Sequence, residues 1–178
     1  MNHFFNSRRQ AIHRILLFVL ALTSCASARA AQTAPCHDPA RFALDEDEAT
    51  DRTTGLVWKR CSAGLEWLGA KDGCGGEIAV ANPERAADIA RKAGAGWRVP
   101  TADELLSLVT RACGEPSIDR QIFPDVPLDP GGEGSLYWTT TPAGMLDMMV
   151  TVDFRDGTYD MHSRGLNYYV RLVKSAPR

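Results

Sequence analysis

Five cysteines constrain this 178-residue chain more than any other residue type, and what they impose depends on which residues belong to the folded part. Arg8, Arg9 and Arg14 precede an unbroken apolar run from Ile15 to Leu22, and small residues then lead to Ala28-Arg29-Ala30. A basic start, a short apolar segment and an A-x-A ending make a secretory signal. The run is far shorter than the roughly 20 residues that a bilayer-spanning helix needs. Residues 1–30 are therefore read as a signal peptide, with no permanent transmembrane helix.

A second exit competes with cleavage after Ala30. Leu22-Thr23-Ser24-Cys25 resembles the lipobox of bacterial lipoproteins. Residues 1–24 would then be the signal, and a lipidated Cys25 the first mature residue and the sole attachment to a membrane. This exit is preferred, because a cysteine directly after Leu-Thr-Ser is hard to get by chance. Ser7-Arg8-Arg9 fits a twin-arginine signal poorly, since Ala11 and Ile12 depart from that pattern.

With the signal set aside, Cys36, Cys61, Cys74 and Cys113 remain. An even set in an exported chain reads as two disulfides. Four cysteines allow three connectivities, and the sequence does not choose among them. The favoured pairing joins Cys61 to Cys74, closing a short Gly-rich loop, and Cys36 to Cys113, tying the N-terminal segment to a helix end. Each bridge contributes roughly 2–4 kcal/mol. The rival is a metal site, but Cys61 and Cys74 lack C-x-x-C spacing and only His37 lies near a cysteine, whereas zinc sites are tighter clusters. No metal, cofactor or free catalytic thiol is expected.

Charge narrows the partners. Four of the 20 basic residues (Arg8, Arg9, Arg14 and Arg29) leave with the signal, so 16 face 22 acidic ones and the mature net charge is −6. Such a chain is a poor general binder of nucleic acid, which is held largely by clustered Lys and Arg.

Residues 31–41 form a polar lead-in. Asp45-Glu46-Asp47-Glu48 is a solvated acidic turn without the spacing of a calcium loop. Thr54-Gly55 turns into a buried strand through Trp58, and Ser62 to Gly76 is a Gly-rich loop with Trp67 as its packing anchor. Asn82-Pro83-Glu84 opens a helix. Its apolar face is Ala86, Ile89, Ala90 and Ala93, and Gly94 is its stop. Thr101 and Glu104 form the capping box of a second helix with the face Leu105, Leu108, Val109 and Ala112. Prolines and glycines from Pro116 to Gly134 mark an irregular loop, the preferred place for a ligand surface. Strands follow at 136–140, 149–154, 158–161 and 168–173, with a hairpin at Asp156-Gly157. The order argues for α+β with an antiparallel sheet.

Several segments resemble one family in order. They are Thr54-Gly55-Leu56-Val57-Trp58-Lys59-Arg60-Cys61, Gly96-Trp97-Arg98-Val99-Pro100-Thr101 with Glu104-Leu105, Pro116-Ser117-Ile118-Asp119 with Phe123-Pro124, Tyr137-Trp138-Thr139-Thr140-Thr141-Pro142, Val152-Asp153-Phe154 with Asp156-Gly157, and Tyr169-Val170-Arg171-Leu172-Val173. The pattern is similar to the Lcl C-terminal domain family, named for a Legionella collagen-like adhesin, and runs over residues 42–174. The resemblance implies an exported bacterial protein with a C-type-lectin-like α+β fold: two helices packed on a small, mainly antiparallel sheet, long irregular loops and two disulfides, with cysteines at the positions found here. The named adhesin's domain is associated with sulfated glycosaminoglycans. The acidic balance works against that ligand here unless Arg155, Arg164, Arg171 and Lys174 gather into one patch. The Glu-Pro-Asn and Trp-Asn-Asp signatures of calcium-dependent lectins are absent.

Trp58, Trp97 and Trp138 are expected as core or loop anchors, Arg98 as the holder of a carboxylate such as Glu104, and His162 as polar surface. Arg155, Arg164 and Tyr159 are the candidate ligand-surface residues. The expected role is a non-enzymatic binding or adhesion module in the periplasm, on the outer membrane or at the cell surface, with a glycan or envelope protein as partner. The alternative is a structural or accessory subunit of a surface assembly. An enzyme of the formylglycine-generating type is a weaker third reading, since it needs reactive cysteines; no Ser-His-Asp set, HExxH or phosphate loop is visible. Mass analysis of the mature N-terminus is expected to find a lipid-modified Cys25; a free Ala31 selects the soluble exit.

Overall fold

The structure is a computed structural model, and it describes residues 35–94, 96–128 and 134–176. The signal, Cys25, residues 31–34 of the lead-in and the centre of the Gly/Pro loop lie outside the described residues. The acidic turn of the sequence is the tip of a hairpin. Phe42–Asp45 (β1) runs antiparallel to Glu48–Asp51 (β2), and Glu46 at the turn adopts φ 47°. The hairpin escapes a propensity reading because Asp and Glu are depleted in strands. It is held from outside: Lys59 pairs with Asp47, and Lys174 reaches Glu48 at 2.8 Å.

Leu56–Lys59 (β3) extends this ladder, and the C-terminal Val173–Ser175 (β11) pairs with β3, giving a four-stranded antiparallel sheet in the order β1-β2-β3-β11. Ser62 to Gly76, expected as a loop, contains a second hairpin of Leu65–Gly69 (β4) and Gly73–Gly76 (β5), with Trp67 opposite Cys74. Glycine is required at Gly64. It sits at φ +89°, and a Cβ there would lie 2.5 Å from the Glu77 carbonyl oxygen.

The third sheet combines Val80–Ala81 (β6), Leu136–Pro142 (β7), Met148–Asp153 (β8), Thr158–Ser163 (β9) and Tyr168–Tyr169 (β10) in the order β6-β10-β7-β8-β9. Its pairings are antiparallel except the β10–β7 contact at Tyr169 and Tyr137. The last strand expected at 168–173 is therefore two strands in two sheets. Between them Val170 and Leu172 accept from the amides of Ala63 and Lys59, and Arg171 turns inward. That crossing breaks the strand.

Helix α1 spans Pro83–Ala93, with the Asn82 side chain accepting from the Arg85 amide and Gly94 at its end. Ala86 and Ala90 are buried, Ile89 is half-buried, and Ala93, expected on the buried face, is exposed. Helix α2 is Ala102–Leu106, and its Thr101/Glu104 capping box is present. It is shorter than the spacing of Leu105, Leu108, Val109 and Ala112 predicts. Val109 leaves the helix to bridge Ile118, and Ala112 is exposed in a 3₁₀ turn, Arg111–Cys113.

Three hydrophobic clusters result, the smallest made of Leu136, Trp138 and Tyr168. One of the larger two gathers Trp58, Leu105, Ile118, Phe123, Tyr137, Val152 and Phe154, and the other packs Ala86 and Ala90 of α1 against Val57, Trp97, Val170 and Leu172. The small alanines let the helix lie close to its neighbours. Trp138 is buried as well and donates to the Ala81 carbonyl at 2.7 Å. The Gly/Pro segment is not the free recognition loop expected of it: Ile118, Ile122, Phe123 and Val126 are core residues. The architecture is α+β with two helices, and no helix among the described residues is long and apolar enough to cross a membrane.

Cys36 is bonded to Cys113 and Cys61 to Cys74, the favoured pairing. Proteolysis of the unreduced protein is expected to yield those two linked peptide pairs by mass spectrometry. Replacing Cys61 and Cys74 together with Ser is expected to lower stability by about 2–4 kcal/mol in denaturant unfolding.

Candidate functional site

Arg171 is the polar centre of the molecule. It is fully buried, and its guanidinium donates through Nη1 to the carbonyls of Lys59 (3.0 Å) and Arg60 (2.8 Å) and through Nη2 to Ser62 Oγ and Asp125 Oδ1, both at 2.9 Å. The ring of Phe123 lies 5.0 Å from the guanidinium carbon. Asp125 is almost as buried and also accepts from the Ser62 amide at 2.7 Å. Burial alone would raise the Asp125 carboxyl, but the Arg171 charge and the hydrogen bonds from Ser62 and Arg171 outweigh it and hold the group below its usual range. Burial opposes the Arg171 charge in the same way, and Asp125 more than restores it.

The Tyr137 hydroxyl meets Ser62 Oγ at 2.8 Å, and burial pushes that phenol up to about 12. Tyr137 thus stays protonated at neutral pH. Apart from Arg171 Nε, which has no hydrogen-bond partner among the described residues, the polar groups of the cluster are bonded to one another and to backbone carbonyls, and they act as a clamp. It fixes Lys59 to Ser62, the Gly/Pro segment and the crossing between β10 and β11 against one another.

Directly beyond the clamp lies a cleft of about 660 Å³. Ser62, Ala63 and Leu172 contribute to it from the clamped segments, Trp67 and Glu66 from β4, Glu46 from the β1–β2 turn, and Ile89 and Lys92 from α1. The β4–β5 hairpin that carries Trp67 is fastened by the Cys61–Cys74 bridge. The buried Arg60 guanidinium lies 3.8 Å from the Trp67 ring centroid and is itself fixed by the carbonyls of Glu46, Gln121 and Ile122. Arg60 does not line the cleft. It supports the indole from the protein side. Lys59 faces the cleft too, but it pairs with Asp47 and lies 4.7 Å from the centroid of Trp97.

The residues singled out in the sequence do not converge. Tyr159 is two-thirds exposed on β9. Arg164, beyond the end of that strand, pairs with Glu84 in the first turn of α1. Arg155 is half-buried after Phe154. The basic patch conditional on Arg155, Arg164, Arg171 and Lys174 does not form, because Arg171 is internal and Lys174 is paired with Glu48. Asp153 and Asp156 shape the hairpin as expected: Asp153 Oδ1 accepts from the amides of Ser135 and Arg155, and Asp156 Oδ1 from that of Thr158. Arg98 grips Glu104 with two contacts of 2.7 and 2.6 Å. His162 is not simple surface. It is half-buried, bonded to Thr151 at 2.9 Å and set edge-on to Tyr168. Among the described residues no group of His, Cys, Asp or Glu converges to hold a metal.

Sequence reasoning missed the cleft. Trp67 carried the one usable signal, an aromatic in a disulfide-closed segment. Glu46, Glu66 and Lys92 reach the cleft from three separate elements, which no local spacing reveals.

A second exposed surface lies on β9 and the adjoining loops. Met145 and Leu146 sit at the β7–β8 tip, Tyr159 and Met161 on the strand and Leu166 after it, all exposed. The Met161 amide is occupied by Asp160 Oδ1 at 2.7 Å, which blunts the sheet edge against further strand pairing.

The model of the Lcl C-terminal domain family matches residues 47–174 of the chain, a span that contains the clamp, the Cys61–Cys74 bridge and the cleft residues apart from Glu46. No curated protein matches it.

Asp125→Asn leaves the Arg171 charge buried without its counter-ion, and is expected to cost about 3–5 kcal/mol in denaturant unfolding. Because the Asp125 carboxyl is held low in the folded state, its ionised form contributes stability that is complete above the ordinary carboxylate range. That contribution drains as the pH falls through the folded value, so the acid limb of the wild-type stability curve should flatten in the variant.

Proposed function

The chain belongs to the Lcl C-terminal domain family, and on that premise we propose that it is a non-enzymatic binding module exported to the bacterial cell envelope. The observation that carries this reading is the cleft of about 660 Å³, a size typical of ligand sites. Its walls are fixed in advance by a disulfide, a buried ion pair and a stacked guanidinium. Fixed walls reduce the ordering cost of binding. A lectin-like fold, which the family resemblance implies, fits the same role. The ligand is a glycan or an envelope protein.

The basic start and A-x-A ending of the N-terminus support export, and the lipobox at Cys25 supports attachment to the outer membrane through a lipid. All four cysteines of the described chain lie in disulfides, which supports a binding role over the thiol chemistry of formylglycine-generating enzymes. One observation favours a second reading, an accessory subunit of a surface assembly. Met145, Leu146, Tyr159, Met161 and Leu166 are large apolar side chains left exposed, and exposed apolar residues in number mark protein contacts.

Arrays of glycans and of envelope proteins probed with the mature protein separate the two readings. The binding-module reading expects a saturable partner that is lost with Glu66→Lys in the cleft and kept with Leu146→Ser. Silence on both arrays, together with co-fractionation with envelope components that Leu146→Ser abolishes, supports the accessory subunit instead.

A further inference from the structure

Resting on the reading of the cleft as the ligand seat, we infer that the cleft takes a short, uncharged, hydroxyl-rich saccharide and excludes sulfated ones. Three features of its lining point the same way.

The first is the set of charges that remain uncommitted. Lys59 is engaged by Asp47 and by the Trp97 ring. Among the described residues the side chains of Glu46, Glu66 and Lys92 have no ion-pair or hydrogen-bond partner, and all three line the cleft. Two acidic residues, Glu46 of the β1–β2 turn and Glu66 of β4, thus line the cleft against one lysine from the last turn of α1. A sulfated chain entering here meets more negative charge than positive, and like charges brought together across a desolvating interface are strongly unfavourable.

The second is the donor and acceptor balance. Ionised carboxylates are acceptors only, and an ammonium is a donor only. A ligand that satisfies both must present groups able to donate and accept in the same small volume. Hydroxyls do so. A carboxylate also accepts from two neighbouring hydroxyls at once, and bonds to charged groups are stronger than neutral ones.

The third is Trp67. Its indole lines the cleft while the Arg60 guanidinium supports it from beneath at 3.8 Å. A pyranose has a polar edge and an apolar C–H face, and the face matches a fixed aromatic surface that has a polar rim. Ile89 and Leu172 extend the apolar part of the lining. The backing cation and the Cys61–Cys74 bridge hold the ring before any ligand arrives.

The test titrates the mature protein with cellotriose, maltotriose and N-acetylchitotriose as neutral probes and with a heparin tetrasaccharide as the sulfated one, followed by tryptophan fluorescence and calorimetry. At least one neutral probe should bind saturably with one site per chain, without competition from the heparin fragment. Trp67→Ala should weaken that binding about tenfold, the equivalent of an aromatic contact. Should Trp67→Ala disturb the hairpin, the exposed Glu66→Gln and half-reach Lys92→Gln variants carry the test, and each should weaken binding about threefold or more. The inference is overturned if the heparin fragment binds in preference, if no neutral probe binds, or if binding is indifferent to all three substitutions. When the neutral probes fail but an envelope protein still binds in a manner sensitive to Glu66→Lys, the saccharide class falls and the binding module stands. When neither binds, both fall.

Discussion

The Arg171–Asp125 pair organises the molecule because it ties the Gly/Pro segment, which lies outside the sheets, to two segments that the β3–β11 ladder already brings together. Arg171 belongs to the crossing between β10 and β11, Asp125 to the Gly/Pro segment, and Ser62, bonded to both, to the chain just after β3. Arg60 repeats the device one step away, donating to the carbonyls of Gln121, Ile122 and Glu46. Irregular segments leave backbone carbonyls without a ladder, and buried carbonyls need donors. A guanidinium offers five in a fixed fork. Two arginines therefore do for the loops what strand pairing does for the sheets. Burying an ion pair is not by itself stabilising, since desolvation offsets much of the attraction. Its value lies in the number of segments that one group orders at once.

That construction also decides what could be read from the sequence. The helix starts were legible because caps are local: Asn82 with Pro83, and Thr101 with Glu104, hold all their chemistry within three residues. That the four cysteines make two disulfides, and the anchoring role of Trp58, Trp97 and Trp138, were legible from residue type and position, whereas the pairing was favoured but not decided by the sequence. The turn at Glu46-Asp47 was legible as an acidic turn, but the strands on either side of it were not. Asp45 and Glu48 are poor strand formers by propensity, and the hairpin is held by Lys59 and Lys174 from other strands. The split of the final strand was equally hidden. Tyr168 to Val173 alternates like one strand, and its break follows from Arg171 finding Asp125 46 residues away in sequence.

The same accounting explains why the expected surface residues gave no common site. A basic side chain counts toward a patch only while its charge is uncommitted. Arg164 is engaged by Glu84, Lys174 by Glu48 and Arg171 by Asp125. In a chain with more acids than bases, several cations are taken up by acidic partners, and composition overstates what remains for a polyanion. The candidate site is thus better sought where charges are left over than where they are dense in sequence.

Glu46, Glu66 and Lys92 meet at the cleft from three separate elements. Glu46 is placed by the Arg60 bond to its carbonyl, and Trp67 by the Arg60 ring contact, so one guanidinium sets both the acidic and the aromatic wall. The floor residues Ser62 and Leu172 flank the Arg171 contacts on either side. Stability and recognition are then coupled through the same two arginines. Loosening the buried pair would move the floor, and opening the Cys61–Cys74 bridge would free the wall that carries Trp67. A rigid cleft needs ligand groups to match positions already set, so the cost of specificity falls on folding and not on binding. This is why the domain commits the Cys61–Cys74 bridge and a fully buried ion pair to the neighbourhood of one surface depression.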